Sequence, residues 1–518
     1  MKKTKAVVTG LCAVLLVGCA TVVPDPLRQS DIVARADADR RSAQAGVEPI
    51  TGPLTLENAI ARALKYNLDR RARLIEEAIA MNQLDVSEYD MLPKLVASIG
   101  YRDRSEFATT RAIDSVTGAP SLANPFISSA REHTVYDLGL AWSVLDAGLS
   151  YSTAKQNADR VLIASERRRK AMHLLIQDVR TAFWRTASAQ KLHNEVRQAI
   201  TMAEEALADA RQAEAERLRS PLDSLRYQRQ LLENLRLLEA IDQELATARI
   251  ELAHLINAPM GVELSVAEPP EPVGRRILDL PVERMEEVAI VQNADLHEQH
   301  YNARIAVEET RKTMLRLFPN LSFNYTLKYD NDRFLVHNRW NEAGGLLSYN
   351  LLNVLSAPAQ RKLADAGVAL ADQRRVATQM AVLSQVHLAR LQYASAYQQF
   401  IRADAIWNVD DRISRHVAAR EQAQAQSKLD RVANNTTAIL SLLRRYQALA
   451  LMNAAASKLQ ATLGMEPRIG SVQEQSLAAL AADVGAALKQ WDEGRLPEVA
   501  KPMLQLQPSM SAPGAKGK

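Results

Sequence analysis

Cysteine is almost missing from this chain. Of 518 residues only Cys12 and Cys19 are cysteines, which excludes a disulfide framework and a cysteine metal site. Long hydrophobic runs are missing too. Nothing after residue 19 offers 18 consecutive apolar residues, so no transmembrane helix is available and any membrane crossing falls to β-strands. Aromatic residues make up 5%, although 47% of the chain is hydrophobic. Ala, Leu, Gln, Glu and Arg dominate instead, a composition that suits long helices better than a compact enzyme core. The net charge of +4 is small for this length and gives no nucleic-acid signal. There is no Walker A motif and no glycine run of the dinucleotide-binding type. No Ser/His/Asp constellation can be argued from spacing. His297 and His300 stand three apart on an expected helix and could share a metal. No second ligand pair supports them, so a solvated helix face is the plainer reading. The sequence therefore offers no catalytic residue, no metal site and no cofactor, and an enzyme reading has nothing to stand on.

What is present starts at the N-terminus. Lys2, Lys3 and Lys5 precede an apolar stretch over residues 6–17, the length of a signal-peptide h-region and short for a membrane span. Leu16-Val17-Gly18-Cys19 then resembles a bacterial lipobox, in which cleavage after residue 18 leaves Cys19 as the acylated first residue. The alternative is an ordinary secretory signal with an incidental cysteine. Ala20, rather than an aspartate, follows Cys19. By the resemblance, that implies sorting to the outer membrane of a Gram-negative cell, with palmitate among the anchoring acyl groups.

The rest is a duplication. Glu57, Ala63, Asn67, Asp69 and Pro93 match Glu283, Ala289, Asn293, Asp295 and Pro319 at an offset of 226. Ser220, Leu222, Asp223 and Leu252 match Ser427, Leu429, Asp430 and Leu459 at an offset of 207. The 19-residue difference places a longer loop in the first copy, between about 102 and 133. We divide the chain into a signal peptide (1–18), a lipid-anchored extension (19–53), a first repeat (54–260), a Pro- and Glu-rich linker (261–281), a second repeat (282–465), and a C-terminal part (466–518) with an amphipathic helix over 474–493 and a Pro-rich disordered tail.

Each repeat reads helix, strand, strand, long helix, turn, helix. The period-two alternation of Leu321, Phe323, Tyr325, Leu327 and Tyr329 with Ser322, Asn324, Thr326, Lys328 and Asp330 marks a strand, and Tyr136, Leu138, Leu140, Trp142 and Val144 mark another. Expected strands span about 94–102, 134–144, 320–330 and 344–352. Near ten residues each, they fit a tilted transmembrane strand. Of the 25 aromatics, 13 fall in 94–151 and 318–350, as interfacial girdles require. A soluble half-buried sheet is the competing reading. Four strands cannot close a membrane barrel, which starts at eight, so strands that enter lipid must be pooled between subunits; three subunits give twelve. A proline-free stretch over about 147–219, and its counterpart over about 359–426, then predict helical hairpins over 147–258 and 356–464, the first helix running roughly 100 Å. At the hairpin tips, Ser220-Pro221-Leu222-Asp223 and Ser427-Lys428-Leu429-Asp430 both read as capping boxes.

Leu54-Thr55-Leu56-Glu57-Asn58-Ala59-Ile60, the Leu-Pro-Lys-Leu entry to the first strand and Gly139-Leu140-Ala141-Trp142-Ser143-Val144-Leu145-Asp146-Ala147-Gly148 are similar to signatures of the TolC family of outer-membrane efflux proteins. The resemblance covers about 54–465. It implies a mainly α protein with a membrane β-barrel. Three chains would form a homotrimer with a twelve-stranded barrel, continuing into an α-barrel of coiled-coil hairpins in the periplasm. It also implies a periplasmic adaptor and an inner-membrane pump as partners, in drug efflux or type I secretion, with outer-membrane lipid around the barrel and no nucleic acid. Asp223 and Asp430 match the family's tip acids near the closed periplasmic entrance, so gating and helix capping stand as two roles for them. The chain departs from the family at Arg217 and Gln424, where glycine is usual, at Ala433, where a further acid is common, and at Leu352-Asn353-Val354, which lacks the usual aspartate-glycine. A second functional class is a periplasmic coiled-coil lipoprotein acting as adaptor or spacer; such a protein would carry one hairpin beside soluble β-domains, and the duplication argues against it.

Overall fold

A computed structural model describes residues 25–121, 124–216, 220–259, 261, 264–267, 275–423, 428–465, 472 and 474–497. The lipobox with Cys19, the tip positions Arg217, Gln424 and Ser427, and the tail after residue 497 lie outside the described residues. The chain forms two units, divided after Pro49. The first contains helix α1 (Gln29–Gln44), none of whose residues is buried.

The second unit holds everything else. Helices α2 (Leu56–Tyr66) and α3 (Leu68–Tyr89) lead into strand β1 (Lys94–Asp103). Short strands β2 (Ala108–Thr110) and β3 (Phe126–Ser129) precede β4 (Glu132–Ser143). Helices α4 (Val144–Ala215, 72 residues) and α5 (Pro221–Leu255) complete the first copy. The second copy repeats the pattern with α6 (Val282–Gln292), α7 (Ala294–Leu315), β5 (Asn320–Asp330), β6 (Arg339–Ser348), α8 (Asn353–Gln422, 70 residues) and α9 (Lys428–Thr462). Helix α10 (Leu477–Asp492) ends the described chain. No described helix is long and apolar enough to cross a membrane.

The long helices grow straight out of strands. Ser143 closes β4 and caps α4, its hydroxyl accepting the Asp146 N–H, so strand and helix share one residue as junction. β6 spans residues 339–348, not the expected 344–352. Arg339 to Glu342 carry no apolar alternation, and only pairing with β5, from Tyr329 opposite Arg339 onward, makes them a strand. At the other end Asn350 Oδ1 accepts the Leu352 N–H at 3.1 Å and turns the chain into α8.

The four long strands form one antiparallel sheet in the order β1-β4-β5-β6. Both edge strands lack a partner among the described residues. The helices repeat this arrangement. Beside the strands, α3, α4, α7 and α8 pack in that order; farther along, α8, α9, α4 and α5 do so. Every layer is thus an open row of four elements. The outermost rows show apolar side chains to solvent, among them Ile75, Ile79 and Val86 on α3 and Leu363, Leu370 and Leu391 on α8.

The duplicated asparagines explain their own spacing. Asn67 caps α3 by accepting the Arg70 N–H, and its Nδ2 donates to the Leu255 carbonyl at the end of α5 (3.1 Å). Asn293 caps α7 through the Leu296 N–H and donates to the Thr462 carbonyl at the end of α9 (2.9 Å). Each asparagine ties a helix junction to the far end of its hairpin. The ends themselves are matching C-cap motifs. Ala258 N–H bonds the Ala253 carbonyl and Met465 N–H the Gln460 carbonyl, with Asn257 (φ 52°) and Gly464 (φ 69°) in the left-handed position.

Two apolar clusters sit beside these ties. One joins Ile60 and Leu64 of α2 to Val179 and Phe183 of α4; the other joins Met285 and Val288 of α6 to Val386 and Tyr393 of α8. Helix α10 serves both, with Leu480, Val484 and Leu488 in the first and Trp491 in the second. Arg180 is buried beside this strap. Burial lowers its pKa and raises that of Asp492, and the opposite charge of each works against both shifts. Sequence patterning gave no sign of this pair, because an arginine in a long helix ordinarily reads as solvated.

Candidate translocation surface

Cross-strand register sorts the sheet into two chemically different faces. Leu95 and Ile99 of β1, Tyr136, Leu138, Leu140 and Trp142 of β4, and Phe323, Tyr325, Leu327 and Tyr329 of β5 lie on one face. All are exposed large hydrophobics, a contiguous apolar patch far beyond what a water-facing surface normally tolerates. Aromatics bracket it. Trp142 stacks on Phe323 at 6.4 Å near the helices, and Tyr136 meets Tyr329 at 5.7 Å near the other end, where Arg339 lies over Tyr329. Six residues of strand separate Tyr136 from Trp142, roughly 20 Å. The opposite face carries Ser98, Asp137, Gly139, Asn324, Thr326, Lys328 and Glu342.

The ends of the strands opposite the helices are locked. Asp332, in the β5–β6 turn, is 2% exposed. Its carboxylate accepts the Ser129 hydroxyl (2.5 Å), the Ala130 N–H (2.9 Å) and the Phe334 N–H (3.0 Å). Burial raises its pKa, but these bonds outweigh burial and hold it below the ordinary value. Beside it His133 Nδ1 bonds Asp330 at 2.8 Å. Phe107 packs edge-on against Phe334, with Arg131 and Arg333 over the Phe107 ring. The longer loop of the first copy is therefore partly built: it holds the β2–β3 ribbon and is fastened to the second copy through Asp332. Asp332→Ala should leave the buried Ala130 N–H without its acceptor, a cost of about 1–3 kcal/mol, and free the loop. Trypsin should then cut after Arg104, Arg111 or Arg131 several-fold faster than in wild type; an unchanged cleavage rate would show that other contacts hold the loop.

No family model matches the sequence, and no curated protein matches it. Solved structures do resemble it. The Campylobacter jejuni CmeC outer membrane channel superposes with a TM-score of 0.63 at 13% identity, over 92% of this chain and 98% of that one. The outer-membrane channel OprN gives 0.61 at 16% identity, over 83% and 96%. The open state of the Neisseria gonorrhoeae MtrE outer membrane channel gives 0.57 at 15% identity, over 80% and 94%. The chain has the TolC-like outer-membrane channel fold.

Within this channel fold the hairpin tips lie at the ends of α4–α5 and α8–α9. Ser220 is the N-cap of α5 and its carbonyl accepts the first helical N–H, that of Ser224, but its hydroxyl makes no capping bond. The capping box expected at the first tip is thus incomplete. Asp223 is exposed in the first turn of α5, where a carboxylate suits the positive helix end. Asp430 is half-buried in the first turn of α9, and its carbonyl accepts Asn434 Nδ2 at 2.7 Å. Nearby, Arg431 pairs with Glu421 at 2.9 Å and bridges α9 to α8.

The charge run of α4 meets acids on two neighbours. Arg168 pairs with Glu77 of α3 (2.8 Å), Arg167 with Glu298 of α7 (2.7 Å) and Lys170 with Asp295 of α7 (2.7 Å). Partly exposed pairs like these contribute little each, but together they fix the rotation of α4 between α3 and α7. His297 Nδ1 bonds Glu166 at 3.0 Å and its Nε2 faces the Val291 carbonyl. The Glu166 bond raises the His297 pKa, whereas burial lowers that of His300. Among the described residues no group of three or more His, Cys, Asp or Glu side chains is placed to hold a metal ion.

Proposed function

We propose that this protein is the outer-membrane exit duct of an export system, working as a homotrimer anchored through Cys19. The observation that carries the reading is the sheet. It has one apolar, aromatic-bracketed face, one polar face, and two edges without a partner among the described residues. Lipid suits the first face, water the second, and a further copy of the chain the edges, since open edges are not tolerated in hydrocarbon. Two copies would give eight strands, whose interior side chains fill the lumen. Three copies of the four-stranded sheet give twelve and leave a conduit. The apolar edges of α3 and α8 suit the same assembly, with the α-barrel in the periplasm. Docking to a periplasmic adaptor and an inner-membrane pump belongs to this reading, as does a passive route for cargo. The OprN, CmeC and MtrE structures, described as outer-membrane channels, support it. A periplasmic adaptor or spacer would have no use for the apolar face.

Purified protein should insert into planar bilayers with discrete, stable conductance steps; a preparation of intact protein that never conducts would remove the duct reading. Mass spectrometry of the outer-membrane fraction should find a mature N-terminus at Cys19 bearing acyl chains, and an unmodified chain beginning elsewhere would rule out the anchor. We place the gate at the tips, with Asp223 and Asp430 holding the entrance closed beside Ser220 and Ser427. Asp223→Ala with Asp430→Ala should raise single-channel conductance several-fold. If conductance stays at the wild-type level while stability falls by about 1 kcal/mol per site, the acids are caps.

A further inference from the structure

Three charged side chains of the polar face meet in one chain of contacts across the sheet. Ser98 on β1 lies opposite Asp137 on β4, and Asp137 opposite Lys328 on β5. The Ser98 hydroxyl donates to Asp137 Oδ2 at 3.3 Å. Lys328 Nζ reaches across to Glu342 Oε2 on β6 at 2.6 Å. One chain of polar contacts thus crosses all four strands, stepping one pair along at β6, where Trp340 lies opposite Lys328 and Glu342 opposite Thr326. Two residues farther along β5 the same face carries Asp330, which is bonded to His133. Toward the helices Val96, Gly139, Ala141, Ser322, Asn324, Thr326, Gly344 and Leu346 carry the face without charge, and Lys94 and Arg102 appear only toward the two ends of β1.

Such a row contributes little as a stabilising device. Lys328 and Glu342 are partly exposed, at 30% and 53% of their side chains, and an exposed ion pair contributes little to stability. Its position matters more. Two carboxylates and one ammonium leave one net negative charge per chain in this chain of contacts. Lining a pore with rings of fixed charge is a general way to select ions by sign. A narrow aqueous passage between low-dielectric walls strengthens the field of such a ring.

We propose that Asp137, Lys328 and Glu342 form a selectivity band that makes the conduit favour cationic over anionic solutes. The proposal rests on the trimeric duct reading: repeated by threefold symmetry, the row becomes a closed belt of six acids and three lysines. Lys328 sits between the two acids and moderates the belt, so removing lysine and removing acids act in opposite directions.

The test is the zero-current potential of the full-length protein in planar bilayers under an about tenfold KCl gradient. Wild type should give a potential of cation-selective sign. Asp137→Asn with Glu342→Gln should lower the potassium-to-chloride permeability ratio by about threefold or more and move it toward anion preference. Lys328→Gln should raise the ratio by a similar factor. Both variants keep side-chain size, and the single lysine variant reads the band even if the double variant assembles poorly. Conducting channels whose zero-current potential is unmoved by either variant would overturn the band while leaving the duct intact. Intact wild-type protein that never conducts would overturn the duct and the band with it.

Discussion

Gly464→Ala should destabilise the fold on the order of 3 kcal/mol or more. Gly464 has φ 69°, a conformation that disfavours any side chain. A Cβ there would also lie 2.2 Å from the Gln292 carbonyl oxygen and 2.9 Å from the Asn293 nitrogen. Both are backbone atoms, so no rotamer change relieves the overlap. The α6–α7 junction or the end of α9 must move, and either movement breaks the Asn293–Thr462 tie. The equivalent position of the first copy supplies the control. Asn257 already has a side chain at φ 52°, so that junction leaves room, and Asn257→Gly should change stability by no more than about 0.5 kcal/mol. Thermal unfolding followed by tryptophan fluorescence reads both variants, since Trp184 and Trp491 are buried in the same cluster. A Gly464→Ala protein melting with wild type would mean that the close approach is not rigid.

Acidification should weaken the folded chain through His173. This residue is 7% exposed on α4. Burial, with the Arg169 charge second, lowers its pKa to about 4. The unfolded chain takes up the proton near the ordinary value of about 6.5, whereas the folded chain refuses it until about 4. Between those values the unfolded state binds more protons, so stability is complete above about 6.5 and falls as pH drops toward 4. One group with this shift loses about 2 kcal/mol by pH 5. His297 works the other way. Its pKa is raised, chiefly by the Glu166 bond, so its contribution is present at low pH and is lost as pH rises through the raised value. Denaturant midpoints of wild type and His173→Leu at pH 7.5 and pH 5 separate the two. The variant should lose about 2 kcal/mol less across that interval. Equal losses would place the acid sensitivity elsewhere.

How much of this was legible follows from which interactions are local. Leu321 to Tyr329 alternate with period two, and that alternation alone announces β5. Proline-free, alanine-rich stretches announce α4 and the long run of α8 after Pro358. Asn67 and Asn293 were visible as matched residues, because two copies of one unit preserve spacing. What they bond to was not visible. Leu255 and Thr462 lie 188 and 169 residues away in sequence, and no periodicity encodes such a contact. The same holds for β6. Its first residues lack an apolar pattern, and pairing with β5 rather than their own preference makes them a strand.

The tips show the converse. Ser220 and Asp223 match the capping-box pattern, yet Ser220 Oγ makes no capping bond, since spacing supplies the residue types but not the rotamer that the bond requires. The added length of the first copy's loop was countable. Its attachment through Asp332 was not, since the aspartate's donors come from the other copy.

By itself the sequence determined the duplication, the two long hairpins and the alternating strands, because each is written in local spacing and residue type. Only the tertiary structure decided the strand order β1-β4-β5-β6, and with it which side chains share a face. That order joins one copy to the other through β4 and β5. It places Asp137 beside Lys328 although 191 residues separate them in the chain. Register is set by pairing partners, and a strand carries no record of its partner in its own pattern.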